Sequence, residues 1–281
     1  MPCQVVNGKE IALQYRTELK HGVEVLGQRG IVPRLTVILV GNDPASQIYV
    51  GNKERACREI GIASEVLRFP ESFTEQELLA VVAKLNKAAD VHGILVQLPL
   101  PDHIREERII QAIQPQKDVD GLHPENIGNL LSGYPRLVPC TPLGCLHLLK
   151  KTGYQPAGKN AVVVGRSILV GKSVAALLLN ADATVTVCHS QTKSLAEFTR
   201  QADILVVAVG RKGLITGSMI KPGAFVMDVG MNRLPTGKLA GDVDFASASE
   251  VAGWLTPVPG GVGPMTITML LANTLKVAGY E

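Results

Sequence analysis

The sequence predicts an α/β protein of two domains, each built on parallel strands with helices on both faces. Short apolar strands alternate with amphipathic helical stretches from end to end, the pattern of such sheets. The 281 residues exceed the roughly 250 at which a single core stops growing. A composition of 46% hydrophobic against 19% charged residues supplies apolar surface for two cores and leaves no tract polar enough to be disordered. Aromatics are only 4%, so aliphatic and alanine packing must fill those cores.

The elements follow in order. Ile11–Leu26 carries helical periodicity, Leu35–Val40 reads as a buried strand, and Asn42-Asp43-Pro44 as a turn. Ala45–Ile60 is then a helix leaving that strand's carboxyl end. Ser64–Phe69 and His92–Gln97 are further strands, and Thr74 with Glu77 forms a capping box ahead of the helical stretch Leu78–Leu85. Residues 114–141 are rich in Pro, Gly and Asp, too long for an ordinary connection, and so read as functional. Thr141-Pro142 restarts regular structure as an N-cap with proline at the first helical position, opening a helix to about Lys151. A second series has strands Ala161–Val164, Thr184–Cys188, Ile204–Ala208 and Phe225–Asp228, and a last helix Pro264–Ala278 after PGGVGP.

Several function classes are disfavoured. The net charge of +3 is spread without a basic block, which argues against a nucleic-acid binder. Cys3, Cys57, Cys140, Cys145 and Cys188 are odd in number and form no CxxC pair, as expected in a reducing compartment. The start MPCQVVNGKE resembles no export or organelle signal, and no apolar run reaches the roughly 20 residues of a membrane span. A cytoplasmic protein without a membrane role is expected. His123 and His189 lack partners at ligand spacing, so no metal is assigned.

Tyr49 and Lys53 stand four residues apart on the helix after the first strand, so they share one face at the sheet edge where ligands bind. Helical lysines are commonly solvated and helical tyrosines commonly half-buried packing residues, and that ordinary reading competes. Gln97 ends a strand at the same edge, where a neutral amide could orient an amine or simply cap the strand. Asp118 and Asp120 are turn aspartates or, for one of them, a carboxylate able to accept two parallel hydrogen bonds from a nitrogen heterocycle.

Gly165-Arg166-Ser167-Ile168-Leu169-Val170-Gly171 joins a strand to a helix where a dinucleotide pyrophosphate meets a helix amino terminus. The string ends in Gly171-Lys172-Ser173, but a P-loop needs four residues between its first glycine and GK[ST], and five are present. A second string, four apolar-rich residues ending in a carboxylate, Phe225-Val226-Met227-Asp228, keeps nucleotide hydrolysis as a minor alternative. The next strand ends in Cys188-His189-Ser190 without the acid that would bind the ribose of NAD. Ser190, Lys193 and Arg166 suit a phosphate there, which favours NADP.

The strings YVGNK, GILVQLPLP, KDVDGLHPENIG, PCTPLG, VVVGRS, TVCHSQT, DVGMNR and TPVPGGVGPMT, in this order, closely resemble the bifunctional methylenetetrahydrofolate dehydrogenase/cyclohydrolase family over almost the whole chain. That resemblance implies NADP-dependent oxidation of methylenetetrahydrofolate and hydrolysis of the methenyl product, both at one crevice. It implies a catalytic domain of residues 1–140, completed by a C-terminal helix 264–281 packing back on it, and a Rossmann-like doubly wound NADP-binding domain of residues 141–263. By matching position, Lys53 is the catalytic amine, its pKa moved down from about 10.4 by desolvation and by the cationic substrate. Tyr49 stacks on the folate, Gln97 assists the lysine and Asp120 anchors the pterin. Leu98, Pro99, Gly260, Gly261 and Val262 line the folate site, and Gly165, Arg166, Ser167, Ser190 and Met231 hold NADP. A homodimer is implied as well. Ser173, Ile168 and Met231 depart from the family's usual residues and bear on the cofactor contacts.

Overall fold

The structure is a computed structural model and describes residues 2–280. Along the chain, β1 (Gln4–Val5) leads into α1 (Gly8–Gln28), β2 (Arg34–Val40), α2 (Pro44–Ile60), β3 (Ala63–Phe69), α3 (Glu75–Lys87) and β4 (Gly93–Val96). Three helices follow without a strand: α4 (Glu106–Ala112), α5 (Pro124–Leu131) and α6 (Cys140–Lys151). Then come β5 (Asn160–Val164), α7 (Ser173–Asn180), β6 (Thr184–Cys188), α8 (Leu195–Thr199), β7 (Ile204–Val207) and β8 (Phe225–Asp228). The hairpin strands β9 (Asn232–Arg233) and β10 (Leu239–Ala240), α9 (Phe245–Ser249), β11 (Trp254–Leu255) and α10 (Val262–Val277) complete it. No helix of the described residues is long and apolar enough to cross a membrane.

The chain forms two compact units, residues 14–140 with 267–281 and residues 141–266 with 1–13. In the unit holding residues 14–140, β2 is the middle of a parallel sheet of order β3-β2-β4. A strand covered on both faces reads as a continuous apolar run, and Leu35, Val37, Ile38, Leu39 and Val40 of β2 are all buried. Ile38, Val40 and Ile94 pack against Leu78 and Val82 of α3 and Ile109 of α4, each such side chain contributing about 1.5–3 kcal/mol. α3 starts where expected, with the Thr74 side chain accepting from Glu77 N and the Glu77 carboxylate accepting from Thr74 N. The C-terminal helix closes this unit: buried Asn273 donates to the carbonyls of Val119 and Val138 at 2.9 Å each.

The other unit holds a parallel sheet of order β1-β11-β8-β7-β5-β6. From β5 the chain moves outward to β6, then returns to β7 on the opposite side, so the winding reverses beside β5. Its core is aliphatic, with Val162, Val164, Leu205, Val207, Val226 and Leu255 buried together.

Two expectations are corrected. Residues 2–13, expected in the first domain, belong with the six-stranded sheet, because Gln4 N bonds Gly253 O and Val6 N bonds Leu255 O, both at 2.9 Å. Thr141 is not an N-cap: α6 already begins at Cys140, and the Thr141 hydroxyl pairs with that of Thr266 at 2.9 Å. The long segment 114–141 contains α5, capped by the His123 ring accepting from Glu125 N.

Candidate active site

The strand β2 delivers the chain to Asp43, whose carboxylate accepts from Ser46 N at 2.7 Å and fixes the start of α2. Tyr49, 37% exposed, and Lys53 follow one turn apart on this helix. From the neighbouring strand β4 the chain emerges at Gln97, with the backbone of Gln97 bonded to Ile38 O at 2.8 Å. The Lys53 Nζ lies 2.9 Å from Gln97 Oε1. The Gln97 amide N–H donates to Leu98 O at 2.6 Å, which turns its oxygen toward the amine. Leu98 and Pro99 continue from this point through a cis peptide bond.

Asp120 reaches the same edge because residues 117–118 run beside β4 as an extra parallel rung. Ile94 N bonds Lys117 O at 2.8 Å and Ile94 pairs with Asp118. The chain then turns, with Gly121 N bonding Asp118 O at 3.0 Å, and leaves Asp120 near enough to Lys53 to act on its charge. Gly93 makes room for this rung: a Cβ there would sit 2.8 Å from a Val119 methyl.

The two aspartates divide their tasks. Asp118 is buried and accepts from His123 N at 2.7 Å and Asn126 Nδ2 at 2.9 Å, tying down the start of α5. Asp120 is partly exposed and acts electrostatically on Lys53.

Burial lowers the pKa of Lys53 from the ordinary lysine value, against the opposing pull of Asp120, Cys140 and Cys57. Burial also pushes the Cys57 thiol up to about 12 and that of Cys140 well above its usual value. Both thiols therefore stay protonated, and neither is a nucleophile. The site presents an amine biased toward its neutral form, held by a neutral amide beside a carboxylate.

In the six-stranded unit, β5 ends at Gly165, whose φ is +130° and where a Cβ would lie 2.3 Å from Ala208 O. The turn that follows, Ile168–Lys172, is widened, with Lys172 N bonding Ser167 O at 2.9 Å and Val170 N bonding Ser167 Oγ at 3.2 Å. A Cβ at Gly171 would fall 2.2 Å from Gly165 O, so two backbone stretches touch here. The P-loop alternative fails on this geometry: Ser173 is buried and its hydroxyl is turned onto Ile168 O within the widened turn, so it does not face an open phosphate site.

Arg166 and Ser167 on this turn, Ser190 and Lys193 after β6, and Met231 after β8 are exposed. Gly260 is partly exposed in this same unit, whereas Gly261 and Val262 are buried where α10 begins. Pattern reading missed Asn273, and it missed a buried pair, Asp228 and Asp242, whose carboxylates take only N–H donors. Burial pushes Asp228 up to about 6 against three backbone donors, with the Asp242 charge adding to the rise. Among the described residues, no three His, Cys, Asp or Glu side chains are grouped to hold a metal ion.

Sequence profiles match in both parts of the chain. Residues 6–120 fit the tetrahydrofolate dehydrogenase/cyclohydrolase catalytic domain, and residues 139–281 fit the NAD(P)-binding domain of the same family. The chain belongs to the tetrahydrofolate dehydrogenase/cyclohydrolase family. A bifunctional FolD protein of Moorella thermoacetica is 59% identical, covering 99% of both chains. Among solved members, the FolD dehydrogenase/cyclohydrolase of Campylobacter jejuni is 50% identical with a TM-score of 0.97, covering 98% of each chain. The dehydrogenase-cyclohydrolase of Trypanosoma brucei, solved with NADP and an inhibitor, is 40% identical with a TM-score of 0.95, covering 99% of this chain and 98% of its own.

Proposed function

We infer that the chain oxidises 5,10-methylenetetrahydrofolate with NADP⁺ to 5,10-methenyltetrahydrofolate and hydrolyses this to 10-formyltetrahydrofolate. The observation that carries the reading, within a chain of this family, is the buried Lys53 amine bonded to Gln97 beside Asp120.

Each group fits a task. The Asp120 carboxylate suits the paired N–H donors of a pterin ring, and the exposed Tyr49 ring one turn before Lys53 suits stacking on it. Leu98 and Pro99, which follow Gln97, are proposed to line the folate site. In the hydrolytic step, water adds to the methenyl carbon and gives one proton to neutral Lys53. The amine passes that proton to N5 as the bond from N5 to this carbon breaks, and the remaining hydroxyl proton leaves as the formyl group forms on N10. Gln97 accepts one N–H of the amine and so aims its lone pair.

The residues at the carboxyl edge of β5 and β6 fit a dinucleotide. At the Gly165–Gly171 contact backbone meets backbone, and Arg166, Ser167, Ser190 and Lys193 offer donors around the turn. NADP⁺ supplies the hydride acceptor when bound. Arg166 and Ser190, with no carboxylate at the end of β6, favour the cofactor's 2′-phosphate, and Met231 flanks the same edge. A cytoplasmic homodimer is part of this reading: the free cysteines fit a reducing compartment, and the dimer is what the family resemblance implies.

The test is spectroscopic: methenyltetrahydrofolate should appear with NADP⁺ and then decay as it is hydrolysed. Absence of product with either NADP⁺ or NAD⁺ would sink the enzyme reading.

A further inference from the structure

Asp228 and Asp242 are fully enclosed in the six-stranded unit, and nothing above uses them. Their hydrogen bonds form a chain that ends at the rim of the sheet. Asp228 Oδ1 accepts from Gly230 N and from Asp242 N, and its Oδ2 accepts from Val243 N, each at 2.9 Å. Asp242 in turn accepts two consecutive backbone N–H groups on one oxygen, Val209 at 2.7 Å and Gly210 at 2.9 Å, and the Asn232 side chain at 2.9 Å on the other. Glycines are required around the pair: a Cβ on Gly241 would strike the Asp228 carboxylate and one on Gly230 the Asp242 carboxylate.

The segments so tied are the exits of β7 and β8. Val209 and Gly210 follow β7, the strand on the other side of the reversal from β6, and therefore wall the crevice where open parallel sheets take ligands. Gly210 and Met231, on the two tied segments, are exposed at that rim. Two like charges buried together are a poor way to stabilise a core, but carboxylates are strong acceptors for orienting backbone N–H groups.

We propose that Asp228 and Asp242 are positioning residues for the cofactor: through Val209–Gly210 and Gly230–Asn232 they set the wall against which the dinucleotide binds. This rests on the cofactor reading above. The pair acts through backbone and touches neither cofactor nor folate.

The test is calorimetric binding of NADP⁺ to the full chain, with steady-state kinetics alongside. Asp242→Asn sets an N–H2 group against N–H donors on one side or the other, Val209 and Gly210 or Asn232, and should raise both Kd and KM for NADP⁺ about tenfold. Its kcat should stay within about twofold, and methenyl hydrolysis assayed without cofactor should be unchanged. Asn232→Ala, which removes only one donor to Asp242, should give a rise of roughly threefold and serves if the first variant does not fold. Val206→Ala, a cavity in β7, is the control that loses stability without a shift in Kd. The proposal fails if Asp242→Asn and Asn232→Ala bind NADP⁺ as the wild type does, or if Val206→Ala weakens binding equally. Failure of the wild type itself to bind NADP⁺ would instead overturn the cofactor reading, and the proposal with it.

Discussion

Lys53 Nζ and Gln97 Oε1 lie 2.9 Å apart although 44 positions separate them in the chain. The contact exists because β2 and β4 are parallel neighbours, so the helix after one strand and the residue ending the other share a sheet edge. Lys53→Met keeps the length and apolar stem of the side chain but removes the proton acceptor. Hydrolysis of methenyltetrahydrofolate should fall by at least about a hundredfold, with NADP⁺ affinity unchanged by calorimetry.

The pH dependence follows from the direction of the Lys53 shift. Burial lowers its pKa, so the neutral amine is available at lower pH than for an exposed lysine. Hydrolysis rates should therefore rise with pH along a limb whose midpoint lies below the ordinary lysine value. Lys53→Arg, which stays protonated, should lack that limb in a pH–rate profile.

The cofactor turn gives a sharper steric prediction. Gly165→Ala would place a methyl 2.3 Å from Ala208 O at a φ of +130°, and the backbone must move. Dehydrogenase activity should drop by about a hundredfold or more while cofactor-free hydrolysis persists. Equal loss of both activities in parallel assays would contradict the division of labour.

Arg166→Ala should weaken NADP⁺ binding by about tenfold and NAD⁺ binding far less, as read from dissociation constants for both. An equal effect on the two would show that Arg166 does not face the 2′-phosphate.

Asn273 offers a stability prediction. Asn273→Ala removes the amide donor to the Val119 and Val138 carbonyls, leaving Val119 O only the Cys140 thiol, and should cost about 3 kcal/mol in urea unfolding. Because Val119 precedes Asp120, KM for the folate should rise as well.

Much of this was legible along the chain. β6 and β8 fall where the apolar runs place them, and the i, i+4 relation of Tyr49 and Lys53 needs only a helix after a strand. β1, β9, β10 and β11 are two residues long and too short to carry any periodicity. α5 was hidden because its cap is a histidine ring, outside the usual Ser, Thr, Asp and Asn. The Asn273 tie joins positions 154 residues apart, and Asp242 works through backbone N–H groups that any sequence possesses. Asp228 was visible in Phe225-Val226-Met227-Asp228 but suggested a P-loop partner rather than an anchor for a neighbouring loop.

The rung that Lys117 and Asp118 form beside β4 has a genetic consequence. Asp120 is placed by its count from that single bridge, so one codon inserted between 115 and 119 would bring Val119, and one deleted would bring Gly121, to where Asp120 now stands. Substitutions at exposed Gln116 should pass unnoticed, whereas a frame-preserving change in length at the same place should be as damaging as losing the aspartate. The chain's tolerance here is to spelling and not to counting.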